Sequence, residues 1–155
     1  MLFSHAIPWR FLYNPLHTWG GHLVDQRVKT AILHVLEQFP EVKIAYVFGS
    51  AARDQLTSTS DIDVAVAAET QLPLDTRLAM AIQLSKALHR EVDLIDLQDV
   101  AGEILQQSLC QGTNLLQKDA GLHARLIQRL WFDQADMMPY RRRILAERRR
   151  QFLHG

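Results

Sequence analysis

Charge of one sign is missing from the chain in excess: 17 Lys and Arg balance 17 Asp and Glu, leaving a formal net charge of zero. Proteins held mainly by phosphate contacts to nucleic acid carry a basic surplus, so direct nucleic-acid binding is not expected. Cysteine is reduced to one, Cys110. That excludes an internal disulfide framework and fits a reducing, cytoplasmic setting. Cys-x-x-Cys and paired-His spacings, the usual signs of zinc, are also missing, and the seven histidines are scattered. No apolar run approaches the length of about 20 residues that spans a bilayer. Of the five prolines and seven glycines, two of each fall within residues 1–22, and no apolar stretch with a cleavage site follows a basic start there. That segment reads as an N-terminal extension rather than a signal peptide. The remaining 23–155 reads as one domain, long enough and apolar enough (48% hydrophobic overall) to bury a core.

The chemistry concentrates in one stretch. An apolar run, Ile44 to Phe48, ends abruptly in Gly49-Ser50; ten mostly small and polar residues follow, and then Asp61-Ile62-Asp63-Val64 opens a second apolar run. Side chains alternate faces along a strand, so Asp61 and Asp63 point the same way. Two parallel carboxylates repel unless a cation lies between them, and a hard ion such as Mg2+ takes carboxylate oxygens while leaving room for phosphate oxygens. Gly49 allows close backbone approach, and Ser50 adds a hydroxyl and an N–H. Donors at such a turn cradle phosphates. Arg53, four residues after Gly49, is placed to neutralise charge on a triphosphate. Taken alone, each part has a plainer reading: Asp-x-Asp as the wet face of an edge strand, Gly-Ser as a turn, Arg53 as a solvated side chain.

Together the parts resemble a known pattern. Gly49-Ser50, a ten-residue gap, then Asp61 and Asp63 is similar to the signature of the polymerase-β-type nucleotidyltransferase superfamily. Phe48-Gly49-Ser50-Ala51-Ala52-Arg53 and Ser60-Asp61-Ile62-Asp63-Val64 resemble the minimal nucleotidyltransferases, the MNT antitoxins of HEPN–MNT toxin–antitoxin systems. The resemblance covers residues 23 to 118; Asp54 departs from it, standing where many relatives carry Gly. It implies an α/β fold, with a small mixed sheet flanked by helices and further helices at the C-terminus. It implies nucleotide binding by Gly49, Ser50, Arg53 and Ser60, and metal binding and catalysis by Asp61, Asp63 and a third acid on a neighbouring strand. That third acid is carried to Asp93, as proton acceptor or metal ligand, with Asp96 as the alternative; a strand-end carboxylate facing water is the plainer reading and suits Asp96 better. The implied reaction is Mg2+-dependent transfer of AMP from ATP to a tyrosine of a small helical HEPN RNase toxin, which silences it. Two other readings stand beside this one. The chain is a nucleotidyltransferase for a small molecule such as an aminoglycoside, or an antitoxin that masks its partner without catalysis.

Periodicity places the other elements. Asp25 caps a helix to Phe39, where Pro40 stops it, with Val28, Ala31, Ile32, Val35, Leu36 and Phe39 on one face. Strands are expected at Val42 to Phe48, Asp61 to Ala67 and Arg90 to Leu97, and a helix at Asp75 to His89. A helix from Asp99 to Gly112 buries Val100, Ile104 and Leu105, with Cys110 as a small core residue. Leu115-Leu116 is a short apolar piece after a turn. A helix from Asp119 to Asp136 buries Leu122, Leu126, Ile127, Leu130 and Trp131, and a separate last helix starts at Pro139 and ends at Leu153. That last helix carries Arg141-Arg142-Arg143 and Arg148-Arg149-Arg150, so the rest of the chain is net acidic. A solvated face, an RNA patch and a docking surface for an acidic protein are the three readings of it.

Overall fold

The computed structural model describes residues 24–49 and 61–153, the side chains of 137–141, 144–145 and 148–153 excepted. The expectations placed on residues 1–22 and on Ser50, Arg53, Asp54 and Ser60 lie outside the described residues. Helix α1 (Gln26–Leu36) starts where expected, because the Asp25 carboxylate accepts a hydrogen bond of 2.9 Å from the Arg27 N–H. It ends three residues before the predicted Phe39. Two single turns, Gln38 to Val35 and Phe39 to Leu36, take up the remaining carbonyls before Pro40.

Strands β1 (Ile44–Phe48), β2 (Ile62–Ala67), β3 (Val92–Asp96) and β4 (Thr113–Gln117) form one sheet in the order β3-β2-β1-β4. β1 is antiparallel to both β2 and β4, while β2 and β3 run parallel. The parallel pair needs a crossover, and helix α2 (Leu74–Leu88) supplies it. α2 stops at His89, which takes a left-handed backbone (φ 52°) and turns the chain into β3.

The strand β4 was read in the sequence only as an apolar pair. Its register against β1 slips between Ala45 and Tyr46. The bulge breaks the alternation by which a strand is recognised, and Leu115 packs into the core instead.

Each face of the sheet is covered. On one, Ile62, Val64 and Val66 meet Ile32, Val35 and Leu36 of α1 and Met80 and Leu84 of α2. On the other, Ile44, Tyr46, Phe48, Ala65 and Ala67 meet Leu105 of α3 (Gly102–Gln106) and Leu122, Leu126 and Leu130 of α4 (Ala120–Leu153). Burial on both faces is why β1 and most of β2 read as unbroken apolar runs.

The region Asp99 to Gly112 is not one regular helix. α3 is a short α-helix from Gly102 that widens into a π-helical turn over Gln107–Gln111. Ile104, expected inside, is 44% exposed, whereas Leu105 is fully buried. Cys110 lies half-buried on the rim of the second core.

The two expected C-terminal helices are one. α4 runs unbroken for 34 residues, about 50 Å at 1.5 Å per residue, and its backbone stays helical through Pro139. Asp119 caps it, accepting a hydrogen bond of 2.9 Å from the Leu122 N–H. Leu122, Leu126 and Leu130 are buried as expected, each worth about 1.5–3 kcal/mol. Ile127 is only partly covered, and Trp131 is 42% exposed. The pattern that read as two helices reflects this change of surroundings, from a core-facing third to a distal segment, and not a break at Pro139. Among the described residues, no helix is long and apolar enough to cross a membrane.

Candidate active site

The site forms at the end of the sheet where β1 leaves and β2 and β3 enter. Phe48 pairs in register with Asp63, and Asp63 with Asp93. Asp63, Ala65 and Ala67 alternate with the core residues of β2, so the carboxylate points to the α3–α4 side. Asp93 shares that face on the neighbouring strand, and Asp61 lies two residues before Asp63 at the strand entrance. The like charges act on each other. Burial first, then the charges of Asp93 and Asp61, raise the Asp63 carboxyl above its ordinary range.

Gly49 closes the site from β1. Its backbone is left-handed (φ 69°), where a side chain is strained, and a Cβ added there would overlap Asp63 Oδ2. Glycine is therefore required twice over, by the turn and by the carboxylate behind it. The group that approaches Gly49 in the structure is the Asp63 carboxylate.

Asp96 has a different part. It is 2% exposed and accepts hydrogen bonds from the Leu72 N–H (2.7 Å) and the Gln98 N–H (2.9 Å). The reading of Asp96 as a strand-end carboxylate facing water is corrected: it ties the loop before α2 to the exit of β3. Asp93 is the exposed one, set opposite Asp63.

A hard divalent cation fits this donor set. All three side chains offer carboxylate oxygens, and the repulsion that raises Asp63 is what a cation between them relieves. Among the described residues, no three His, Cys, Asp or Glu side chains form a ready metal cage. Mg2+ is ordinarily held by one or two carboxylates plus substrate phosphates.

One pair beside the site has no local sequence signal. Tyr46, buried on β1 two residues before Phe48, places its hydroxyl 2.8 Å from His123 Nε2 on α4, with the rings stacked. Burial lowers the His123 pKa and raises that of Tyr46. The partners are 77 residues apart, beyond any spacing rule.

A mixed four-stranded sheet, a left-handed glycine turn and carboxylates registered on adjacent strands define a nucleotidyl-transfer fold. The chain belongs to the polymerase beta nucleotidyltransferase family, whose profile matches residues 30–121. The protein adenylyltransferase MntA of Shewanella oneidensis is 36% identical over 79 residues, which span 51% of this chain and 57% of that protein. The chain thus matches little more than half the length of this curated relative. A crystal structure of a toxin–antitoxin with AMP-PNP contains a chain similar at a TM-score of 0.65 and 27% identity, covering 76% of this chain and 98% of that one. A complex of the tri-AMPylated Shewanella oneidensis HEPN toxin with its MNT antitoxin contains one similar at 0.61 and 28% identity, covering 77% and 98%.

Proposed function

We propose that this protein is an antitoxin of a HEPN–MNT pair, in which residues 23–155 act as a Mg2+-dependent adenylyltransferase that modifies a tyrosine of the HEPN RNase toxin in the cytoplasm. The observation that carries this reading is the register of Asp63 on Asp93 beside Gly49, in a chain similar to those of a toxin–antitoxin bound to AMP-PNP and a HEPN toxin carrying AMP.

The residues divide the work. Gly49 and Ser50 hold the β- and γ-phosphates through backbone N–H groups, and Arg53 and Ser60 complete the nucleotide contacts. Asp61, Asp63 and Asp93 would hold Mg2+, which when bound would neutralise triphosphate charge and polarise the reacting phosphorus. Asp93, exposed on β3, takes the proton of the tyrosine hydroxyl. The tyrosine oxygen forms a bond to the α-phosphorus, the bond from that phosphorus to the bridging oxygen breaks, and pyrophosphate leaves. Proton and charge balance without any further reactant.

The test is transfer of label from α-labelled ATP, with Mg2+, to the HEPN protein encoded with this chain. The expected result is label on a tyrosine and loss of RNase activity. A stable complex that inhibits the RNase with no label on the toxin would mean masking by binding alone, and would overturn the proposal.

A further inference from the structure

Among the described side chains, those that fix helix α4 to the body lie between Leu122 and Asp133. Leu122, Leu126 and Leu130 are buried there. Arg125 pairs with Glu69 at 2.9 Å, Arg129 donates to the Leu97 and Val100 carbonyls, and Asp133 accepts from the Gly102 N–H. Past Asp133 the surroundings change. Asp136, Arg142, Arg143, Ala146 and Glu147 are all exposed. At its base two large aromatics face solvent, Trp131 at 42% and Phe132 at 64% exposure. The sequence from 134 to 153 carries six arginines, no lysine and two acids, whereas the chain as a whole is neutral. The family profile ends at residue 121, so this segment lies outside the nucleotide-binding body.

We infer that the outer part of α4, from Trp131 and Phe132 to the arginines, is the docking surface for the protein that receives the nucleotidyl group, and that this protein presents an acidic face to it. The inference rests on the adenylyltransferase reading above. Exposed aromatics beside arginines are the composition of interface anchors. Arginine without lysine suits bidentate pairing with carboxylates. An RNA would be drawn by a net positive field, but the chain has none, and Asp136 and Glu147 interrupt the run. The buried first turns of α4 pack on the face of the sheet that carries Tyr46, Ala65 and Ala67.

The test uses the full chain and its HEPN protein, with Arg142→Glu/Arg143→Glu and Phe132→Ser as variants. All three positions are exposed, so circular dichroism and thermal unfolding should match the wild type. Calorimetry and stopped-flow binding should show the charge-reversed variant weakened about tenfold or more, chiefly through slower association that loses its salt dependence. Phe132→Ser should weaken binding about fivefold or more through faster dissociation. ATP affinity, and the transfer rate at saturating HEPN protein, should be unchanged. Binding of the HEPN protein within twofold of wild type in both variants overturns the inference. So does a salt-dependent affinity for a single-stranded RNA oligonucleotide that is lost in the charge-reversed variant while the HEPN protein still binds normally. Wild-type protein that binds the HEPN protein through these residues but transfers no AMP would instead overturn the adenylyltransferase reading and leave the docking surface standing.

Discussion

The Tyr46 hydroxyl lies 2.8 Å from His123 Nε2, joining the strand that leads into Gly49 to the helix that carries the arginines. Burial raises the pKa of the phenol and lowers that of the imidazole, so at neutral pH the bond joins a protonated phenol to a neutral ring. The pair has a pH signature. The folded-state pKa of His123 lies below the ordinary value of 6.5. Between the two values the unfolded chain binds more protons, so stability is full above the ordinary value and falls as pH drops through it. Urea unfolding at pH 7.5 and pH 5.5 should show that loss, and His123→Gln should reduce it. Tyr46→Phe leaves a half-buried nitrogen without its hydrogen-bond partner and should cost about 1 kcal/mol at pH 7.5. An unchanged pH slope in His123→Gln would mean that another group carries it.

Asp63 gives the opposite sign. Its folded-state pKa is raised, so the protonated form suits the folded chain and the charged form weakens it at neutral pH. Asp63→Asn should therefore raise the thermal midpoint of the free protein. It should also abolish transfer and cancel the upward shift that Mg2+ and ATP give the wild type by mass action. Differential scanning calorimetry with and without Mg2+-ATP measures both. A variant that is destabilised when free, or that still gains from Mg2+-ATP, contradicts the assignment of Asp63 to the metal.

At Gly49 the turn and the carboxylate make the same demand. Gly49→Ala places a side chain at φ 69° and against Asp63 Oδ2. The left-handed backbone alone costs about 1–2 kcal/mol. Relieving the overlap displaces the Asp63 carboxylate from its place in the site. ATP binding and transfer should fall together, and Gly49→Ala/Asp63→Ala should recover part of the stability but none of the transfer. Wild-type activity in Gly49→Ala would show that the turn does not approach the nucleotide.

How much of this was readable in the sequence depends on whether the signal is local. The β1 run and the Asp25 cap are local, and both stand in the fold, whereas β2 begins at Ile62 and leaves Asp61 outside the strand expected from Asp61 to Ala67. The Gly49 turn was readable because few residues tolerate its backbone. The bulge hid β4, since Leu115 and Leu116 are adjacent and not alternating. Pro139 suggested a break because proline lacks an amide hydrogen; the helix lost that one bond and continued. Ile104 and Trp131 stand at core spacing, but the fold covers each only in part. Tyr46 with His123, and Asp96 with Leu72, are long-range partners that no spacing could pair.

Asp93 and Asp96 stand three residues apart on one strand, and their substitutions should separate chemistry from folding. Asp96 is buried, with both oxygens engaged by backbone N–H groups of Leu72 and Gln98. Asp96→Asn keeps the shape but turns an NH2 toward one of those donors. The cost is that of a lost charge-assisted bond and an unpaired buried N–H, about 2–3 kcal/mol. Transfer by the molecules that remain folded should be near normal, because Leu72 and Gln98 lie at the far end of β3 from Asp93. Asp93 is exposed, and nothing in the core depends on its charge. Asp93→Asn should unfold within about 0.5 kcal/mol of wild type, as exposed substitutions do. Yet it should lower transfer by about 100- to 10,000-fold, the range set by loss of a proton acceptor. Urea titration of both variants, paired with initial rates at saturating ATP, decides the matter. If Asp93→Asn transfers at the wild-type rate while folded Asp96→Asn does not, then the third carboxylate of the site is Asp96, and its two hydrogen bonds are part of the chemistry.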